Sequence, residues 1–71
     1  MELSVQIGNL IRCFREENNL SQEKLAINSQ LSLKTIWRIE SGLIDPKIST
    51  LVSISQGLNT PLNKILQKEN L

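Results

Sequence analysis

Apolar residues in this chain recur three and four positions apart and nowhere sustain a two-residue alternation, which confines it to helices. The same pattern is cut at short intervals by Asn, Ser, Gly and Pro, so the helices must be short and must pack on one another. Leu3, Ile7, Leu10, Ile11 and Phe14 form one stripe on a first helix of about three to four turns. It ends near Asn18 and Asn19, residues that tolerate the left-handed conformation of a helix terminus. Ser21 is placed to cap a second helix of about two turns, with Glu23 in its first turn, where the dipole favours a negative charge, and Leu25 and Ala26 facing inward. After Asn28-Ser29-Gln30-Leu31, Ser32 caps a third helix that shares Ile36, Ile39 and Glu40 on one face and stops at Ser41-Gly42. Leu43-Ile44-Asp45-Pro46 reads as a loop, because proline disfavours helical geometry in the residue before it. A fourth helix bears Ile48, Leu51, Val52, Ile54 and Ser55 and closes at Gly57. Thr60 with Pro61 at the first helical position starts a fifth, carrying Leu62, Ile65 and Leu66. Residues 67–71 read as a frayed polar tail.

Composition narrows the function. Seventy-one residues allow one small domain with its core in residues 3–66, and no room for an attached catalytic module. The chain has no His, its single Cys13 falls inside the first helix with no base at motif spacing, and there is no Gly-rich phosphate loop. No enzyme, metal site or cofactor is expected. The lone thiol and the absence of a charged-then-apolar leader point to a cytoplasmic protein with no membrane segment. Eight basic against seven acidic side chains leave a net charge of +1, so attraction to a polyanion must come from local placement rather than from the whole-molecule field.

Two short helices joined by a tight turn, the second ending in Gly, are the arrangement in which one helix lies across a DNA backbone while the next enters the major groove. The detailed pattern adds to this. Ile7-Gly8, Ile11, Phe14-Arg15, Leu20-Ser21-Gln22-Glu23-Lys24-Leu25-Ala26, Leu31-Ser32, Ile36, Ile39-Glu40-Ser41-Gly42, Pro46 and Leu51 follow one another at fixed intervals. In this the chain resembles the lambda-repressor-like, or Xre-type, helix-turn-helix family from Ile7 to Leu66. The resemblance implies an all-α, five-helix DNA-binding domain whose helix-turn-helix is formed by the second and third helices. It implies an ion pair between Arg15 and Glu40, tying the first helix to the end of the third. It also implies a homodimer, since family members of this length usually pair up on two half-sites about 34 Å apart.

The reading face follows from geometry. At 100° per residue, with Ile36, Ile39 and Glu40 inward, Lys34, Trp37, Arg38 and Ser41 point outward, and Leu33 stands at the N-terminal edge. Arg38 suits guanine O6 and N7, Lys34 a guanine or a phosphate, and Leu33 or Trp37 a thymine methyl. Otherwise Lys34 and Arg38 are a solvated face and Trp37 is half-buried core. Ser21 and Gln22, beside the free N–H groups of the second helix, are assigned to phosphates together with Ser41 and Lys47; a single exposed Lys47 is as often merely solvated. Leu58, Leu62 and Ile65 are assigned to a dimer interface, with burial in the monomer core the competing role, above all for Ile65.

Three residues depart from the family's pattern. Gln30 stands where Gly is usual, and either adopts a left-handed conformation or changes the turn. Lys47 stands where a Ser or Thr cap would be, and Asp45 places a negative charge beside the expected phosphate path. The function these residues support is a sequence-specific, homodimeric regulator on a palindromic DNA operator, the helix at 32–41 reading the bases. Restriction-modification controllers, small phage or plasmid repressors and antitoxins all fit the length. The rival is a protein-interaction module that keeps the fold without binding DNA.

Overall fold

A computed structural model describes residues 2–67 and forms five helices among them, α1 (Leu3–Glu17), α2 (Gln22–Ser29), α3 (Leu33–Glu40), α4 (Ile48–Gly57) and α5 (Leu62–Gln67). Of the tail expected to fray, residues 68–71 lie outside the described residues. Side-chain caps set two of the starts: Ser21 Oγ accepts the Lys24 N–H at 3.0 Å and Ser32 Oγ accepts the Thr35 N–H at 3.0 Å. Left-handed residues set the ends. Asn19 (φ 57°) follows α1, Gln30 (φ 58°) closes α2, and Gly42 (φ 73°) follows α3. The helix-turn-helix turn is thus the three residues from Gln30 to Ser32.

Gln30 keeps the turn at the cost of a strained backbone. Its N–H donates to Ile27 O at 3.2 Å and the next N–H, of Leu31, donates to Ala26 O at 2.9 Å, the pairing of a left-handed helix cap. A side chain there costs about 1 kcal/mol relative to Gly. Gln30→Gly is therefore expected to leave stability unchanged or raise it by up to about 0.6 kcal/mol, once the extra freedom of the unfolded glycine is subtracted; a clear loss of stability in urea unfolding would place the turn elsewhere.

The core is made by all five helices and the segment after α4: Leu10 and Ile11 from α1, Leu25 and Ala26 from α2, Ile36 and Ile39 from α3, Leu51 and Ile54 from α4, Leu58 beyond it, and Ile65 from α5. Helix α2 packs on α4, α1 on α3, and α2 on α3. Two approaches are close enough to forbid a side chain. A methyl group at Gly8 in α1 would overlap the carbonyl oxygens of Ile39 and Glu40 at the end of α3, and one at Gly57 would overlap Ser29 Oγ at the end of α2. Gly42, in turn, lies against Val5.

Burial corrects the assignment of Leu58 and Ile65 to a dimer surface. They are 2% and 3% exposed within the single chain, packed into the core where α4 ends and α5 begins. Leu62 is half-buried and also packs against that core. Once α5 folds back, its apolar stripe is largely used to close the monomer.

Candidate nucleic-acid interface

Helix α3 buries one side and presents the other. Ile36 and Ile39 are fully buried and Glu40 nearly so, whereas Leu33 and Trp37 are 46% and 51% exposed, and Lys34, Arg38 and Ser41 are exposed beside them. An exposed row of Leu, Lys, Trp and Arg on one short helix combines base-edge donors with apolar surface, the two kinds of contact that the major groove rewards.

The structure adds Thr35, which the sequence reasoning passed over. Ser32 Oγ donates to Thr35 Oγ1 at 2.8 Å while accepting the Thr35 N–H. That leaves the Thr35 hydroxyl hydrogen to be donated to another acceptor. Thr35 is half-buried and, at 100° per residue, flanks the outward row on the side opposite Trp37. The helical angle alone could have found it.

What orients this face is a buried ionic joint. Arg15 donates from Nε to Glu40 Oε2 at 2.6 Å and from Nη2 to Glu40 Oε1 at 3.0 Å, a bidentate pair, and from Nη1 to the Leu20 carbonyl oxygen at 2.7 Å. The Arg15 and Glu40 side chains are only 12% and 2% exposed. The hydrogen bond to Glu40 pushes the guanidinium pKa above its already high value, burial opposes it, and the charges of Glu40 and Glu16 add to the rise, so Arg15 is ionised at every working pH. Gln22 completes the joint: its Nε2 donates to Glu40 Oε1 at 3.1 Å. One carboxylate at the end of α3 thereby receives α1 and α2 together. Gln22, assigned to a phosphate from the sequence, is half-buried and spends one amide N–H on Glu40, which leaves its second N–H as a donor.

At the N-terminus of α2, Ser21 is exposed and its Oγ is engaged in the cap. Lys47 is exposed at the start of α4 without a capping side-chain bond, and Asp45 is exposed two residues before it. No helix among the described residues is long and apolar enough to cross a membrane.

Two short helices around a three-residue turn, with the second braced by a buried ion pair and carrying an exposed basic and aromatic row, define a helix-turn-helix DNA-binding regulator. Residues 8–71 match the helix-turn-helix domain family, and the chain belongs to it, as a regulator of the Xre type; the family is not enzymatic. It is similar to the control protein C.SmaI of Serratia marcescens, 34% identical over 71 residues that cover all of this chain and 84% of the relative. The restriction-modification controller protein C.Esp1396I has the same fold, with a TM-score of 0.88 and 29% identity over 97% of this chain and 95% of that one. The controller C.AhdI from Aeromonas hydrophila, at 24% identity, shares the fold with a TM-score of 0.84 over 87% of this chain and 94% of its own.

Proposed function

We propose that this protein is a restriction-modification controller that acts in the cytoplasm and binds a palindromic DNA operator as a homodimer, with the helix at 32–41 in the major groove. The observation that carries this reading is the exposed row Leu33, Lys34, Trp37 and Arg38 on a helix whose opposite side is locked in the core. The likeness to control proteins along the whole chain supports the regulatory role. Arg38 reads a guanine, Lys34 a guanine or a phosphate, and Leu33 and Trp37 pack on thymine methyls. Thr35 adds a single hydroxyl donor at the edge of the row. Ser21 and Ser41, at the start of α2 and the end of α3, meet phosphates and set the register without reading sequence. The domain measures 28 × 22 × 21 Å, so two touching copies can reach successive major grooves about 34 Å apart.

Selection of the purified protein against a random duplex pool, followed by salt titration of the enriched sequence, tests the reading. The expected result is a two-fold-symmetric motif whose log K falls with log salt by about 0.9 per phosphate contact. Enrichment of nothing by a folded protein would favour the protein-interaction alternative. Arg38→Ala is expected to relax one base position in each half-site by about 1 to 3 kcal/mol; unchanged selectivity would remove Arg38 from base readout. Lys34→Ala separates its two roles, since loss at one base assigns it to guanine while uniform weakening with a slope smaller by about one assigns it to phosphate.

A further inference from the structure

Helix α3 carries its outward side chains in two rows. Leu33 and Trp37, 46% and 51% exposed, stand one turn apart and form an apolar row. Lys34 and Arg38, also one turn apart, form a cationic row about 100° further round the helix. Neither of these two side chains has a hydrogen bond or ion pair to another described residue. Each turn thus sets one large apolar side chain beside one uncommitted cation. With Ile36 and Ile39 fully buried on the other side, α3 cannot roll to exchange the rows.

The only apolar group that a base edge shows in the major groove is the methyl on C5 of a pyrimidine, whereas the paired acceptors O6 and N7 that suit a cation belong to guanine. The two features lie side by side where a C5-methylated pyrimidine precedes a guanine on one strand. Thymine is one such pyrimidine, and 5-methylcytosine is the other. They differ at position 4, a carbonyl acceptor on thymine and an amino donor on cytosine. Leu33 has no polar group to sense that difference, and Trp37 has only its indole N–H. We propose that the apolar row reads the C5-methyl group itself, so that 5-methylcytosine takes the place of thymine in front of guanine and binding follows the C5 methylation of cytosine as well as the base sequence. The inference rests on the DNA-reading face given above and names what that face selects. Lys34 and Arg38 hold the guanine whether or not the neighbouring cytosine is methylated; Leu33 and Trp37 tell the two cytosines apart.

Competition binding of the full chain to duplexes built on its enriched operator tests this. Each pyrimidine that precedes a guanine is made thymine, deoxyuridine, cytosine or 5-methylcytosine in turn, with the matching partner base. Loss of the methyl, as deoxyuridine or as cytosine, is expected to weaken binding about fourfold per half-site, and 5-methylcytosine to bind within about twofold of thymine. Leu33→Ala and Trp37→Ala, at exposed positions where circular dichroism can check the fold, are expected to shrink the preference for methylated over unmethylated cytosine, the larger loss falling on whichever side chain covers that methyl. Equal binding of cytosine and 5-methylcytosine would overturn the inference, as would a preference that survives both alanine variants or an operator with no pyrimidine-guanine step. Rejection of 5-methylcytosine alongside a loss with deoxyuridine would also overturn it, by showing that position 4 is read together with the methyl. A folded protein that binds no duplex at all would overturn the DNA-reading face instead.

Discussion

Gly8→Ala is expected to abolish operator binding and to remove about 2 to 3 kcal/mol of stability, because the new methyl would meet main-chain oxygens of Ile39 and Glu40, which cannot swing aside as a side chain can. The only relief is to move α1 away from the end of α3. That opens the core between Ile11 and Ile39 and tilts the helix that carries Arg38 and Trp37. A domain of this size has only about 3 to 5 kcal/mol to lose. Urea unfolding and duplex binding measured on the same preparation check the prediction, with Asn9→Ala as the control: Asn9 is exposed on the same helix, and its replacement is expected to change stability by about 0.5 kcal/mol or less. If Gly8→Ala were as stable as wild type, the approach of α1 to α3 would have to be looser than the structure shows.

Removing one partner of the ionic joint is expected to be at least as damaging. Glu40→Ala leaves the Arg15 guanidinium buried with the Leu20 carbonyl as its remaining acceptor and leaves the Gln22 amide without its acceptor, a loss of about 3 to 5 kcal/mol. Arg15→Ala is expected to cost a similar amount through the stranded carboxylate. The paired change Arg15→Met with Glu40→Leu is expected to recover most of either loss, because the apolar pair no longer has a buried charge to compensate. Thermal melts of the wild type, Arg15→Met, Glu40→Leu and the paired variant form a double-mutant cycle. Independent, additive losses would mean that the two side chains do not act together, and the bracing assigned to them would have to be abandoned.

Much of the architecture is legible in the sequence because it is set by local chemistry. Ser21 and Ser32 cap the helices they precede, Asn19 and Gly42 end helices by turning left-handed, and Pro46 stands in the loop. Gln30 adopts the left-handed conformation that its position in the turn demands, although its side chain makes that costly. What is not legible is which apolar residue is covered by what. Leu58, Ile65, Ile48 and Val52 have the same character in the sequence, yet the first two close the core and the last two face solvent. The difference lies in the path of α5 back across α1 and α4, which no local signal specifies. Gln22 is a similar case: the start of a helix next to a phosphate and the vicinity of a buried carboxylate both suit an amide, and only the packing of α2 on α3 brings it to Glu40. Lys47 begins α4 without the side-chain cap that Ser or Thr would supply.

The joint at Glu40 also bears on what the protein spends its binding energy on. A reading helix anchored to two other helices before it meets DNA has already lost its conformational freedom during folding, and little of that entropy remains to be lost on association. The few contacts an eight-residue helix can make are then available for telling one base pair from another rather than for ordering the reader. On the function proposed above, preorganisation of this kind would let so small a domain discriminate between sequences, and would make the rigidity of a buried carboxylate a determinant of specificity.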